Sequence, residues 1–246
     1  MPQFLKRIPS VILLFFAIDL ALVLLYLINW RLQLPFPQIT QLLNLDEEAN
    51  LPAWYSSMQL LLVAGSLAIF AFNRFDRKNR QSWALIGWPL IFVLLSLDET
   101  AGIHERLGLA SDVLLPGGSR TNTRLGYTGI WMFLLGAPFL IMMLILLASL
   151  KKYLRGQAGV IKKLSLGLMI FVGAACGVEI FSNFVPHAGK FYVLEVCIEE
   201  LGEMAGETFF IWAGYELLQS CRFSLRFSGN EPAFDQEPQQ TFYVSH

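Results

Sequence analysis

Long apolar runs separated by short polar stretches make up most of the chain. A helix needs about 20 mostly apolar residues to cross a bilayer, and five runs reach that length. The fifth run begins with Lys162 and Lys163 near its start, and after them its only charged residue is Glu179. The pattern therefore predicts membrane-spanning helices over about 8–30, 53–73, 83–104, 125–150 and 161–185.

A sixth segment, about 191–219, carries glutamates at helical spacing. At about 100° per residue, the carboxyls of this segment share one face, and apolar residues fill the opposite arc. An amphipathic helix on the membrane surface normally carries Lys or Arg on its polar face, but neither occurs between Lys190 and Arg222. We therefore predict a sixth span whose acidic face turns into the bundle. Its glutamates are Glu195, Glu199, Glu200, Glu203 and Glu207.

Basic residues are distributed unevenly between the two sides of these predicted spans. Thirteen of the 18 Lys and Arg residues fall on the side of the N-terminus, and cytoplasmic loops are the ones enriched in these residues. We expect an all-α bundle of six transmembrane helices over 1–221 with both termini in the cytoplasm, in a bacterial inner (plasma) membrane. The polar stretch 222–246 is predicted to be a short, disordered cytoplasmic tail.

Composition narrows the class of protein. The chain has 246 residues, of which 55% are hydrophobic and only 15% charged, with a net charge of −1. Soluble domains carry about 25% charged residues, so an ordinary soluble domain is excluded. No basic block predicts nucleic-acid binding, and no Gly-rich phosphate loop or HExxH motif is present. Three cysteines without CxxC spacing predict packing residues rather than a thiolate zinc site.

Ionisable residues inside the predicted spans are the candidates for function, because charges in a membrane are costly and usually face the protein interior. Asp19 lies near mid-membrane. The other acids and one histidine come to a common depth near the extracytoplasmic face. They are Asp98, Glu99, His104, Glu105 and Glu179, together with Glu195, Glu199, Glu200 and Glu203 of the sixth segment, whereas Glu207 lies deeper.

These carboxyls cannot all be ionised and unpaired in a low-dielectric bundle, and the nearby basic residues are few. Bound cations, shared protons or a water-filled vestibule could neutralise them. Carboxylates with one imidazole suit iron, manganese or zinc better than copper(I). We expect catalytic roles for Asp98, Glu99, His104 and Glu200. The predicted metal ligands are Asp98, Glu99, His104, Glu179, Glu199, Glu200 and Glu203.

The acids of the third span do not share one face. On a straight helix Asp98 and Glu105 nearly align, whereas Glu99 and His104 point about 100° or more to either side. We therefore expect a distortion near Gly102, or a helix that ends near residue 103 so that His104 folds back.

Two motifs carry a resemblance. The runs SLDETAGIHE (96–105) and EELGEMAG (199–206) resemble those of a group of uncharacterised bacterial multi-pass membrane proteins, in which SLDE-x4-HE pairs with EE-x2-EM-x-G. The resemblance covers most of the chain. It implies a membrane location, and it does not indicate an activity.

Three functions fit these observations. The first is a metal-dependent membrane enzyme, a hydrolase or oxidoreductase, that acts on a lipid or isoprenoid-like substrate. The second is a carrier or channel in which the acids relay protons or bind cations. The third is a non-catalytic subunit of a membrane complex. Membrane lipid is the expected partner and nucleic acid is not, and the oligomeric state stays open.

Overall fold

A computed structural model describes residues 8–33, 35–184 and 189–220. The described part is all-α and contains no strand, which confirms the predicted fold class. The predicted tail 222–246 lies outside the described residues, as do Lys6 and Arg7. The helices are α1 (Ser10–Leu32), α2 (Pro37–Leu42), α3 (Leu51–Arg74), α4 (Trp83–Ala101), α5 (Ile103–Ser111), α6 (Met132–Tyr153), α7 (Ala158–Ser182) and α8 (Gly189–Ser220).

Five of these helices, α1, α3, α4, α6 and α7, are long and apolar enough to cross a membrane. The protein is therefore a multi-pass membrane protein. Helix α8 has 32 residues, which exceeds the length that a bilayer requires, but its glutamates lower its hydropathy. It packs against α1, α3 and α7, and the sixth span stays a prediction.

Glycine sets two helix boundaries. Helix α4 ends at Ala101 because Gly102 adopts a left-handed backbone with φ 57°, and α5 begins at the next residue. This break confirms the distortion expected near Gly102. Helix α6 begins at Met132 rather than near residue 125, because Gly129, with φ 75°, interrupts the apolar run before it.

Two helices contain a turn of π-helix, at Met132–Gly136 in α6 and at Gly173–Val178 in α7. The two turns meet, since a Cβ at Gly136 would lie 3.5 Å from the Cys176 sulfur. Cys176 and Cys197 are free cysteines packed among other side chains, whereas Cys221 lies outside the described residues. Such turns often accompany functional sites.

The interior is layered along the bundle axis. Toward the end that carries α5, here called the α5 end, a small apolar cluster joins α1 to the first half of α8 around Val23 and Val196. Toward the opposite end, a larger apolar cluster includes Trp88, Phe92 and Phe210. Buried polar residues lie between the two clusters: Asp19, Ser56, Ser57, Gln59, Ser96, Glu207 and Thr208.

Candidate functional site

The break at Gly102 folds the start of α5 back onto the end of α4. The Asp98 carboxylate accepts a hydrogen bond of 2.7 Å from the His104 backbone N–H, and its second oxygen lies 2.9 Å from His104 Nδ1. The left-handed backbone at Gly102 makes this return possible. A side chain at Gly102 would also collide with the Glu48 carboxyl, so the turn is closely packed.

A second pair of side chains supports the histidine from the other side. The Trp131 ring packs against the His104 ring with 5.1 Å between ring centroids. The indole N–H of Trp131 donates a hydrogen bond of 3.1 Å to Glu179 Oε1. Trp131 and Glu179 each border one of the two π-helical turns. Asp98 and Trp131 thus hold the imidazole in place.

The electrostatic surroundings favour a protonated imidazole. Burial by itself would lower the pKa of His104, but the hydrogen bond to Asp98 and the charges of Asp98, Glu105 and Glu179 raise this pKa to about 9. Near neutral pH the pair is therefore an imidazolium and a carboxylate. Burial and the charge of Glu105 raise the pKa of Glu48, which lies beside this pair.

An acidic cluster, formed by Glu99, Glu200 and Glu203, adjoins this pair. Glu200 and Glu203 share one face of α8, and both interact electrostatically with Glu99 of α4. Glu99 also interacts with His104 and lies within hydrogen-bonding reach of the Ser56 hydroxyl. The three carboxyl side chains are half-buried. The fold thus brings the acids of the third and sixth predicted spans together.

No ion pair among the described residues includes a carboxyl of this cluster. The ion pairs of the described residues join His104 to Asp98, Arg120 to Asp112 and Lys163 to Glu216. Within the part of the chain that the structure describes, none reaches Glu99, Glu200 or Glu203. No group of three or more His, Cys, Asp and Glu side chains in residues 8–33, 35–184 and 189–220 is placed to hold a metal ion.

The seven predicted metal ligands are therefore divided among several neighbours. Asp98 and His104 engage each other, and Glu179 engages Trp131. Glu199 interacts with Glu179 and His104 at the border of the acidic cluster. Glu99, Glu200 and Glu203 come together. The metal and catalytic roles of all these residues stay predictions.

A buried network continues from the acidic cluster toward the middle of the bundle. The Ser56 hydroxyl donates to Glu207 Oε1 at 2.8 Å. Farther in, Asp19 of α1 accepts hydrogen bonds from Tyr55, Gln59 and Thr208. Asp19 and Glu207 are fully buried.

Sequence reasoning missed several members of this site. It did not single out Tyr55, Ser56, Gln59 or Trp131 as site residues. The first three share one face of α3, and Gln59 is the only amide or charged residue between Trp54 and Phe72, which is a usable indication. Trp131 gave no comparable indication, because aromatic residues are common near span ends.

Residues 13–217 match the family described as Domain of unknown function (DUF8692). The chain belongs to this family. The match includes every member of the acidic cluster and of the buried network, so this DUF8692 protein carries its candidate site within the family's domain. No curated protein matches the chain, and no solved structure matches it.

Proposed function

We propose that this protein is a metal-dependent membrane enzyme that acts on a lipid or isoprenoid-like substrate. The observation that carries the proposal is the juxtaposition of the His104–Asp98 pair with three half-buried carboxyls that form no ion pair among the described residues. A histidine oriented by a carboxylate is a common proton-transfer group. The acidic cluster beside it would supply carboxylate oxygens to the proposed metal.

The proposed metal ligands are Glu99, Glu200 and Glu203. Three carboxylates in one place repel each other, and a bound cation removes that repulsion. Oxygen ligands suit manganese and iron, and zinc also accepts them. A metal held there would supply Lewis-acid activation of a substrate oxygen or of water. His104 and Asp98 would transfer a proton beside it.

The proposed substrate class follows from the surface around His104. Ile103, Leu107 and Leu109 of α5 are exposed, and they continue the apolar surface of the spans. An exposed apolar face that adjoins a membrane-spanning bundle is compatible with contact to lipid. A lipid-like molecule could therefore reach His104 from the bilayer. The positive-inside rule assigns this α5 end to the extracytoplasmic side of a bacterial inner membrane.

The carrier alternative is weaker because the polar network ends inside the bundle. Beyond Asp19 and Glu207, the core toward the opposite end is apolar, and Phe92 packs edge-on against Phe210 with 5.0 Å between ring centroids. An ion that crosses the bilayer needs polar groups or water along its whole path. A polar site confined to one half of the bundle fits an enzyme better than a channel.

The first experiment measures metal binding by the full-length protein in detergent. Metal-free protein is dialysed against Mn²⁺, Fe²⁺ or Zn²⁺, and bound metal is determined by elemental analysis. We expect a stoichiometric ion that is lost in Glu200→Gln and Glu203→Gln. Glu216→Gln, which alters a carboxyl paired with Lys163, serves as the matched control and should retain the ion. Absence of a stoichiometric ion in the wild-type protein would overturn the metal dependence.

The second experiment tests catalysis. Wild-type protein is reconstituted in vesicles of bacterial polar lipids with the metal that it binds, and lipid products are followed by mass spectrometry. We expect a product that is absent with His104→Gln and reduced with Asp98→Asn. An unchanged lipid composition with the metal-loaded wild-type protein would count against the enzyme.

A further inference from the structure

The polar layer in the middle of the bundle contains two buried oxygens without a hydrogen-bond partner. Gln59 Oε1 and Glu207 Oε2 make no hydrogen bond, although Gln59 is only 1% exposed and Glu207 is fully buried. A buried polar atom without a partner costs free energy. Two of them in one layer need an explanation.

Both orphan oxygens are acceptors, and the donors around them are already used. The Gln59 amide N–H₂ group faces Asp19 Oδ1, the Tyr55 hydroxyl and Thr208 Oγ1 at 3.2, 3.1 and 2.9 Å. Because all three groups accept hydrogen bonds from the nitrogen, they fix the orientation of the amide. The amide nitrogen therefore faces these three groups, and the amide oxygen receives no hydrogen bond from them.

Thr208 and Ser56 have no hydrogen left for these oxygens either. The Thr208 hydroxyl donates to Asp19 Oδ2 at 2.9 Å, and the Ser56 hydroxyl donates to Glu207 Oε1 at 2.8 Å. Each hydroxyl has one hydrogen. Acceptors thus outnumber donors in this layer.

The two buried carboxyls of this layer also point to a missing partner. Asp19 and Glu207 interact electrostatically, and both are fully buried. None of the ion pairs among the described residues includes either carboxyl. Buried acids are normally paired, protonated or bound to a cation.

We infer that Asp19, Gln59 and Glu207 form an occluded binding site for a hard cation such as Na⁺ or Ca²⁺. Carboxylate and amide oxygens are the ligands that hard cations prefer. Gln59 Oε1 and Glu207 Oε2 have free lone pairs, and Asp19 Oδ2 retains one after it accepts from Thr208. One cation satisfies the orphan oxygens and balances the buried charge.

This site goes beyond the proposed enzyme and uses none of the carboxyls of the acidic cluster, although Glu207 interacts electrostatically with Glu99. Its ligands come from α1, α3 and α8, whereas the residues that would hold the proposed catalytic metal are on α4 and α8. Its place between the two apolar clusters means that a bound cation would join three helices. The cation is therefore expected to stabilise the bundle, whether or not the protein turns over a substrate.

The test measures the melting temperature of the full-length protein in detergent at neutral pH. NaCl or CaCl₂ is titrated at constant ionic strength against choline chloride, after removal of transition metals with a chelator that does not bind calcium appreciably. In at least one titration we expect a saturable rise of about 5–10 °C at 100 times the dissociation constant. In the same titration, the Asp19→Asn and Gln59→Leu variants should show no such rise.

Two controls separate this inference from the proposed function. Glu200→Gln should lose the transition metal and keep the Na⁺ or Ca²⁺ response, whereas Asp19→Asn should show the reverse. Radiolabelled ²²Na⁺ or ⁴⁵Ca²⁺ binding to each variant that retains its helical circular dichroism checks the result without a melting curve. A melting temperature insensitive to both cations, with no bound label on wild-type protein, would overturn the inference in favour of protonated acids.

Discussion

Asp98 and His104 are joined at two points, through the His104 backbone N–H and through the imidazole Nδ1. The first contact fixes the turn at Gly102, and the second orients the ring. One carboxylate therefore shapes the local backbone and controls the proton on the histidine. This relationship depends on a break in the helix that places residues 98 and 104 side by side.

Replacing Asp98 should change the titration of His104. In Asp98→Asn, the pKa of His104 should fall from about 9 toward the ordinary value near 6.5, because the hydrogen-bonded negative charge is lost. NMR of the imidazole signals, assigned with His104→Gln, measures this pKa. Asp112→Asn, which removes the partner of Arg120, is the control and should leave His104 unchanged.

The same pair implies a pH dependence of stability. A pKa raised in the folded state adds stability that is complete below the unfolded pKa and disappears as the pH rises through the folded pKa. The contribution of His104 should therefore be full below about pH 6.5 and vanish as the pH passes about 9. The difference in melting temperature between wild-type protein and His104→Gln should narrow across this range. A constant difference would contradict the pairing.

Trp131→Phe should destabilise the bundle by about 1–3 kcal/mol, because Glu179 loses the indole N–H that donates to it and keeps a partly buried carboxyl. Chemical denaturation in detergent measures the change. Trp54→Phe is the matched control, since Trp54 is 57% exposed, and should have a much smaller effect. Equal effects of the two substitutions would argue against the contact.

Gly206→Ala should loosen the packing of α7 against α8. A Cβ at Gly206 would lie 2.9 Å from the Gly167 carbonyl oxygen and 2.8 Å from the Phe171 Cβ, so the helices must separate. Overpacking of this kind costs about 1–3 kcal/mol, seen as a lower melting temperature. A Cβ at Gly173 would have no neighbour within 4 Å, so Gly173→Ala should change stability little. A Gly206→Ala protein as stable as Gly173→Ala would contradict this close approach.

The orientation of the protein in the membrane can be tested by labelling introduced cysteines in intact cells. A membrane-impermeant maleimide should label Ser119→Cys, in the segment that follows α5, and should not label Lys78→Cys, between α3 and α4. The prediction follows from the excess of basic residues on the side that holds Lys78. The reverse labelling would invert the topology.

The sequence by itself determined the class of the fold and the identity of its unusual residues. Apolar length predicted α1, α3, α4, α6 and α7, because a spanning helix satisfies its own backbone hydrogen bonds and needs only apolar side chains around it. Periodicity placed the glutamates of α8 on one face. The geometry of a straight helix was sufficient to predict a break near Gly102, which the structure has.

Only the tertiary structure decided how these residues are paired. Local spacing shows which face of a helix carries a side chain, but the partner on another helix depends on rotation and packing of the whole bundle. For this reason Glu179 proved to be a partner of Trp131, and Glu207 of Ser56. The same packing placed Gln59 between Asp19 and Thr208. Helix propensity and hydropathy are local properties, whereas a site shared by α1, α3 and α8 is formed by contacts between residues far apart in the chain.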